Sequence, residues 1–395
     1  MSTTASITGT TQGLTKECLD ELNAKFRALV DDGKLPNLIY LVAHNGKVVK
    51  CDAHGMMDVS AETPKPVKTD TIYRIASMTK PLTSCAMMIL YDEGKWALND
   101  PVSKFIPEFE GLKVRQEGGE PVPQESPMTM RQLMSHSAGF GEHTDMRNGD
   151  LQDMVNYLAK QPLTFQPGKD WLYGPSVDIQ GYIVQKLTGK YLDEFMDERI
   201  FKPLGMADTG YILPESKVSR LVHIHKYEDD DSLSSNDLEN TYNTTRPKFI
   251  AGGGGLMLST VKDYWRFSQM ILNGGEFEGK RILKKSTAEL MHINALAPGI
   301  RLSVLSPDVN GVGFGFGFAI VQDPTAAKIP VPVPAPADSF WWSGFFGTWF
   351  WIDPVNSLIV IGFLNKSNTY RSPVGQPDML EIAAKHLYGA LKGSN

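Results

Sequence analysis

The chain has 395 residues, of which 42% are hydrophobic and 21% are charged, and its formal net charge is −6. This composition is typical of globular proteins and excludes a wholly disordered or collagen-like chain. Because the sequence also lacks a block rich in lysine or arginine, we do not expect nucleic acid to be its main partner.

Cysteine usage and the N-terminus bear on the location of the protein. Cys18, Cys51 and Cys85 lie far apart, which argues against a disulfide scaffold or a four-cysteine zinc site and favours a reducing compartment. The N-terminus lacks signal-peptide features, and no apolar run reaches the roughly 18 residues of a membrane span. We therefore expect a cytoplasmic protein without a membrane span, although a removed leader would leave the same sequence. The oligomeric state is left open, and a homodimer is one arrangement that the sequence allows.

The first part of the chain predicts a helix followed by a hairpin. Residues 15–32 are amphipathic and predict the helix. Leu38–Ala43 and Lys47–Ala53 have the pattern of strands, and Asn45-Gly46 between them suits a type I′ turn.

A second apolar helix follows the strand-like segment Thr71–Ile75 and ends at Gly94. Pro81 is tolerated only in the first turn of a helix, so this helix should begin close to Ser77.

From about residue 96 to residue 249 the pattern indicates helices and long loops with little strand alternation. Gln152–Lys160 and Ser176–Thr188 are the clearest helices, and the second should end at Gly189. The acidic, serine-rich stretch Glu228–Glu239 predicts a solvated loop.

The C-terminal part predicts a helix, three strands, a stiff proline-rich loop and a closing helix. The helix is predicted over Val261–Leu272, and the strands are predicted over Phe314–Val321, Thr348–Ile352 and Leu358–Leu364. The proline-rich loop is Pro330–Pro336, and the closing helix covers residues 379–391. Strands at both ends of the chain predict an antiparallel sheet built from both termini. We expect an α/β domain from residues 1–95 and 250–395, and a mainly helical domain from residues 96–249.

Few motifs in the sequence indicate a catalytic site or a metal site. The sequence has no G-x-S-x-G elbow, H-E-x-x-H zinc motif or Walker lysine loop. His223 and His225 would share a strand face, but two histidines without a third ligand do not define a metal site. The remaining motif is S-x-x-K, which occurs at Ser77–Lys80 and at Ser259–Lys262. Chance produces this short motif about as often as it occurs here, so its context has to decide.

The two serines differ in context. Ser77 lies where a strand-like segment leads into a helix, whose N-terminal N–H groups suit a developing oxyanion, and Lys80 lies one turn away on the same face. Taken alone, this motif is better explained by a helix cap and a solvated lysine. Ser259 precedes a T-x-x-D capping box formed by Thr260 and Asp263, which explains its motif.

A serine and lysine site often needs a third group that moves protons. Tyr173 is the candidate, because the Gly174-Pro175 turn before a helix can present its phenol to a cleft. The alternative is a packed tyrosine before a capped helix. For Asp178 in that helix, we keep the structural interpretation that the helix dipole favours its charge.

Four of the seven tryptophans lie between residues 341 and 351. Strand alternation should divide this cluster between the core and a cleft. The small residues Ser343 and Gly344 allow close approach of a backbone to a ligand, and the following N–H could complete an oxyanion hole. The alternative is an aromatic-rich core strand.

Taken in order, these segments resemble the serine β-lactamase/penicillin-binding-protein superfamily, and within it class C β-lactamases and family VIII carboxylesterases. The resemblance covers about residues 15 to 390. Supporting matches are Asn99–Val102 followed by Phe105–Pro107, Met128–Gly139, which is similar to the segment T-x-x-x-L-L-x-H-x-S-G, and Gly252–Thr260.

The resemblance implies a role for each matched residue. Ser77 is the implied nucleophile, Lys80 its proton partner and Tyr173 the general base. The backbone N–H groups of Ser77 and Phe345 form the implied oxyanion hole, and Trp342-Ser343-Gly344 is the implied substrate-binding segment. The implied fold is an α/β sandwich, with an antiparallel sheet flanked by helices, plus an all-helical domain.

Two departures from the superfamily pattern affect the expected function. Pro175 replaces the asparagine of Y-x-N, and Trp342 replaces the lysine of K-T-G. Neither can hold the amide or carboxylate of an antibiotic. We therefore expect a serine carboxylesterase that hydrolyses short-chain esters through an acyl-enzyme, without a metal or other cofactor. The alternatives are a β-lactamase, a D-amino-acid peptidase, an acyltransferase, or a catalytically silent binding protein.

Overall fold

The computed structural model describes residues 7–8, 11, 13–141, 149–255, 257–302, 310–327, 335–367 and 376–392. Most of the predicted stiff loop Pro330–Pro336 lies outside these residues. Within them, eight antiparallel strands form one sheet in the order β1-β3-β2-β16-β15-β14-β13-β12. These strands are β1 (Ile7–Thr8), β2 (Asn37–His44), β3 (Lys47–Gly55), β12 (Val312–Phe314), β13 (Ala319–Val321), β14 (Phe340–Ser343), β15 (Trp349–Asp353) and β16 (Leu358–Phe363).

The sheet joins the two ends of the chain, as predicted. The β2–β3 hairpin turns at Asn45 and Gly46, both of which have positive φ. The last strand, β16, pairs with β2 through Ile361 and Leu41. Strands from both termini therefore form one surface.

Helices cover both faces of this sheet. Phe350 of β15 contacts Tyr264, whereas the next residue, Trp351, donates from Nε1 to the Tyr388 hydroxyl at 3.2 Å. Successive strand residues point to opposite faces, so the helices that carry these two tyrosines, α8 (Val261–Leu272) and α10 (Gln376–Lys392), lie on opposite faces. The helices are α1 (Lys16–Asp31), α2 (Thr79–Asp92), α3 (Met130–Met134), α4 (Leu151–Leu158), α5 (Ser176–Thr188), α6 (Leu192–Met196), a π-helical turn (Asp197–Phe201), α7 (Lys202–Leu204), α8 (Val261–Leu272), α9 (Lys285–Met291) and α10 (Gln376–Lys392).

Short strands account for the main differences from the sequence predictions. The remaining strands are β4 (Tyr73–Arg74), β5 (Lys113–Val114), β6 (Val122–Pro123), β7 (His225–Tyr227), β8 (Leu233–Ser235), β9 (Leu258–Ser259), β10 (Glu276–Phe277) and β11 (Lys280–Arg281). The predicted solvated loop Glu228–Glu239 was partly wrong, because it contains β8, which pairs with β7. The division into two domains stays a prediction.

The prediction of one strand over Phe314–Val321 was wrong. The chain turns back at residues 315–318, and β12 pairs with β13. Gly317 has φ +95°, and a Cβ there would lie 2.9 Å from the Cα of Pro81. The turn therefore packs against the start of α2, where only glycine fits.

A buried polar network supports the segment before the first S-x-x-K motif. The Arg74 guanidinium donates to the carbonyls of Thr241 and Val222, both at 2.9 Å. The backbone of Arg74 exchanges hydrogen bonds with the Asn365 side chain at 2.9 and 3.0 Å. The Asn365 carbonyl also accepts from the backbone N–H of His225 at 3.0 Å.

The His225 ring is expected to make the protein sensitive to acid. Burial lowers its pKa to about 4. The neutral ring uses both nitrogens, because Nδ1 donates to the Asn365 carbonyl and Nε2 accepts from the Val59 N–H, each at 3.3 Å. Because the pKa in the folded protein lies below the ordinary value, the neutral ring contributes fully to the free energy of unfolding above about pH 6.5. This contribution is lost as the pH falls toward 4. The expected loss is about 2 kcal/mol at pH 5.

Urea unfolding at pH 7.5 and pH 5 measures this effect in the wild type and in His225→Asn. Between the two pH values, the free energy of unfolding of His225→Asn should fall by about 2 kcal/mol less than that of the wild type. His386→Asn, at a half-buried position on α10, is the control. An equal loss in the wild type and His225→Asn would contradict the assignment.

None of the helices in the described ranges is both long and apolar enough to cross a membrane.

Candidate active site

The backbone presents Ser77 at a sharp bend. Ala76 has φ +44°, a left-handed conformation that costs about 1 kcal/mol for a residue with a Cβ. Residues Ala76–Met78 form a single 3₁₀ turn before α2, and the Met78 carbonyl accepts from the Tyr264 hydroxyl at 3.0 Å. Neither this turn nor α2 has a side-chain N-cap hydrogen bond. The alternative that Ser77 is a helix cap was therefore wrong.

Lys80 is buried beside Ser77. Its side chain is 5% exposed, and Nζ donates to Ser77 Oγ at 3.2 Å and to the Gly253 carbonyl. The same Nζ lies 4.3 Å from the centroid of the Tyr173 ring. The alternative of a solvated lysine was wrong, and the structure brings Ser77, Lys80 and Tyr173 together.

The glycine-rich segment after residue 251 fits tightly against α2 and α5. Thr83 Oγ1 donates to the Gly252 carbonyl at 2.7 Å, and a Cβ on Gly252 would overlap the Val177 carbonyl. The Gly253 N–H donates to Asp178 Oδ1 at 2.9 Å. The backbone of Gly253 is therefore held at both of its polar groups, by Asp178 at the N–H and by Lys80 at the carbonyl.

Asp178 is a site residue whose long-range contact was missed at the sequence level. An acidic residue in a first helical turn is explained by the helix dipole alone. Its bond to Gly253 spans 75 residues, and no local pattern in the sequence signals it.

Aromatic rings surround Tyr173. Its ring lies 5.1 Å from the His136 ring and 6.1 Å from the Trp171 ring, with interplanar angles of 27° and 29°. The Trp342 ring lies 5.5 Å away at 40°. These contacts fix the ring of Tyr173.

His136 lies behind Tyr173 and is buried. It has φ +60°, and its carbonyl accepts from the Leu172 N–H at 3.0 Å. Nδ1 accepts from the Gly174 N–H at 3.5 Å. Burial and the nearby Lys80 charge lower the pKa of His136 to about 3. The ring is therefore neutral near pH 7.

The turn after β14 packs against the segment that precedes Ser77. The Gly344 N–H donates to the Thr348 carbonyl at 2.7 Å, and a Cβ on Gly344 would overlap the Ile75 carbonyl. Close approach requires glycine here, and the neighbour is the protein's own backbone. The Phe345 side chain is 50% exposed. The oxyanion role of the Phe345 N–H stays a prediction.

Alternation divides the tryptophan cluster between the two faces of the sheet, and all four rings are buried. The predicted cleft on one of these faces stays a prediction. Trp341 pairs with Trp351, whose face α10 covers, and Trp342 pairs with Phe350 on the opposite face. Trp349 shares the first face, since its ring stacks on Trp351 at 5.8 Å.

On the second face, the Trp342 ring contacts the Tyr173 ring. The Trp342 ring is 3% exposed and contacts Phe314 at 5.3 Å as well as Tyr173. The substrate-binding roles of Trp342, Ser343 and Gly344 stay predictions, and the structure adds that Trp342 supports the Tyr173 ring.

The second S-x-x-K motif is structural, as predicted. Ser259 is buried in β9, and its Oγ shares a hydrogen bond with Thr209 Oγ1 at 2.9 Å. Thr260 caps α8 by accepting from the Asp263 N–H at 3.2 Å. The predicted capping box is incomplete, because the Asp263 carboxylate accepts instead from the Asp208 N–H at 2.8 Å and from Thr209 Oγ1 at 2.9 Å.

Across the described ranges, no group of three or more His, Cys, Asp or Glu side chains could hold a metal ion. Nδ1 of His223 lies 3.5 Å from Oδ2 of Asp58. The ring nitrogens of His225 bond to the backbone of Val59 and Asn365.

Comparison with known proteins identifies the family. Residues 22–384 match the family described as Beta-lactamase. The chain belongs to the beta-lactamase family. The resemblance to the serine β-lactamase/penicillin-binding-protein superfamily is confirmed, whereas the closer likeness to family VIII carboxylesterases stays a prediction.

Relatives within the beta-lactamase family include an esterase. Protein Rv1367c of Mycobacterium tuberculosis is 32% identical over 361 residues, which cover 87% of this chain and 89% of that protein. Esterase EstB of Burkholderia gladioli is 31% identical over 211 residues, which cover 49% of this chain and 52% of that protein. The beta-lactamase family to which this chain belongs is therefore one of hydrolases with esterase homologues.

A solved structure confirms the beta-lactamase fold. EstCE1, described as a hydrolase with promiscuous acyltransferase activity, matches with a TM-score of 0.77 at 21% identity, over 94% of this chain and 99% of that one. At this identity the likeness shows the fold alone. The predicted antiparallel sheet flanked by helices is therefore confirmed.

Proposed function

We propose that the chain is a serine carboxylesterase that hydrolyses short-chain esters through an acyl-enzyme. The observation that carries this proposal is the contact of the buried Lys80 Nζ with both Ser77 Oγ and the Tyr173 ring. A buried amine that donates to a serine hydroxyl at a backbone bend suits nucleophilic catalysis.

In the proposed reaction, Ser77 Oγ attacks the ester carbonyl, and its proton passes to the pair of Tyr173 and Lys80. The N–H groups of Ser77 and Phe345 stabilise the oxyanion. The C–O bond to the alcohol then breaks, and the alcohol leaves with that proton. Water attacks the acyl group by the reverse proton path and releases the acid and free Ser77.

The proposed preference for neutral esters rests on two departures from the β-lactamase pattern. Pro175 has no side-chain donor, and Trp342 presents no charge where a carboxylate would need one. The name of the relative EstB, an esterase, supports the same substrate class. The cytoplasmic location stays a prediction from the sequence.

A paired assay with p-nitrophenyl butyrate and a chromogenic cephalosporin tests the substrate class. We expect kcat/KM for the ester to exceed that for the cephalosporin by about a hundredfold or more, because neither Pro175 nor Trp342 can pair with the antibiotic's amide and carboxylate. Heat-inactivated protein is the control for spontaneous hydrolysis. Faster turnover of the cephalosporin would make the chain a β-lactamase instead.

A further inference from the structure

We propose that His136 is a positioning residue that holds the Tyr173 phenol in its reactive place. This inference rests on the proposed function, in which Tyr173 moves the proton of Ser77. His136 is buried, and its ring stacks on Tyr173 with centroids 5.1 Å apart and 27° between the planes. Such an offset arrangement of aromatic rings stabilises one orientation of both.

A second contact fixes the backbone of Tyr173. The Nδ1 of His136 accepts from the N–H of Gly174, the residue that follows Tyr173. A Cβ on Gly174 would lie 3.2 Å from the Gly141 carbonyl and 3.3 Å from the Phe140 carbonyl. The turn is thus confined by packing on one side and by the imidazole on the other. Ring and backbone of Tyr173 are held by the same histidine.

The imidazole positions Tyr173 without reacting itself. With Nδ1 accepting, the neutral ring carries its proton on Nε2. Nε2 is buried, and no described residue is its hydrogen-bond partner. Neither nitrogen is therefore committed to Ser77 or Lys80 within the described part of the chain, which distinguishes His136 from a catalytic base.

The neutral state of His136 also matters for Lys80. The Lys80 ammonium lies 4.3 Å from the Tyr173 ring centroid, and its charge disfavours protonation of His136. A second cation stacked on the same phenol would repel Lys80. A neutral aromatic ring supports Tyr173 without disturbing the charge beside it.

Two variants separate the contacts. His136→Phe keeps an aromatic ring against Tyr173 but leaves the Gly174 N–H without its acceptor. His136→Asn places an oxygen near Nδ1 and tolerates φ +60° but removes the ring. We expect each variant to lower kcat by about tenfold or more, with KM within about twofold, because a small displacement of a reacting group lowers the rate more than binding. Phe26→Leu, in α1, is the control for general loss of stability.

The decisive readout is independent of activity. In protein labelled with 3-fluorotyrosine, the ¹⁹F resonance of Tyr173 is assigned by its loss in Tyr173→Phe. We expect this resonance to shift or broaden in both His136 variants and to be unchanged in Phe26→Leu.

An unchanged Tyr173 resonance in both His136 variants would overturn the proposal, and so would full kcat in both. In the Tyr173→Phe background, His136→Asn should lower kcat by less than about twofold, because its effect passes through the missing phenol. A full additional loss would mean that His136 acts by another route. If Ser77→Ala retains turnover, the esterase mechanism fails, and the ¹⁹F result still decides whether His136 orients Tyr173.

Discussion

Ser77→Ala is expected to lower ester turnover by about ten-thousand-fold or more. The hydroxyl is the only group of this side chain that can form the acyl-enzyme, and removing a nucleophile leaves only the binding and oxyanion contributions. The fold should be unaffected, because Ser77 Oγ accepts one hydrogen bond from the described residues, that of Lys80, and does not cap the 3₁₀ turn or α2. Initial rates with p-nitrophenyl butyrate measure the change, and the thermal unfolding midpoint checks the fold.

The chain offers a matched control in its second S-x-x-K motif. Ser259→Ala alters the same kind of residue in the same motif, but its hydroxyl bonds to Thr209 in a structural role. Turnover should stay within about threefold of the wild type. A fluorophosphonate probe followed by peptide mapping should modify Ser77 in the wild type and in Ser259→Ala. Full turnover in Ser77→Ala, or labelling elsewhere, would disprove the mechanism through Ser77. A wild type without ester turnover and without labelling would favour a silent binding protein.

Lys80→Met is expected to lower kcat by about a thousandfold while the protein remains folded. Methionine has a similar length but no donor, so Ser77 loses the group that assists removal of its proton. Stability should change little, since replacing a buried cation by an apolar side chain avoids the cost of desolvating the charge. Loss of the hydrogen bond to the Gly253 carbonyl lowers stability and offsets part of this gain. Kinetics and thermal unfolding of the same preparation measure both effects.

Lys262→Met is the control for Lys80→Met. Lys262 lies in α8 and is half-buried, in the motif that the structure assigns to capping. Its replacement should leave kcat within about threefold of the wild type. Equal effects of the two substitutions would show that Lys80 has no special role, and would leave the contact with Ser77 as packing alone.

Local signals predicted the longest helices and the longest strands of the described structure. The helix Ser176–Thr188 has its predicted bounds, because apolar periodicity defines its body and Gly189, with φ +69°, ends it. The helix Val261–Leu272 is confirmed for a similar reason, with Thr260 as its cap. These signals lie within a few residues of each other, so no tertiary contact is needed to interpret them.

Predictions failed where distant contacts decide the backbone. The segment 314–321 alternates like one strand, but it turns at Gly317 because it packs against Pro81. The predicted strand Thr71–Ile75 shortens to Tyr73–Arg74 and pairs with Leu258–Ser259 instead of joining the large sheet. Strand pairing depends on residues far away in the chain, so periodicity alone could not predict either result.

The sequence by itself predicted Ser77, Lys80 and Tyr173 as site residues, because their motifs occur in the order typical of the family. Only the tertiary structure shows that Lys80 is buried and that its Nζ contacts Ser77 and the Tyr173 ring. For this reason, neither a helix cap nor a solvated lysine explains the motif. It also assigned the supporting contacts, from Asp178 to Gly253 and from His136 to Tyr173. Each contact joins segments that are distant in the chain, and hydrogen bonding and ring packing act on distance in space rather than in sequence.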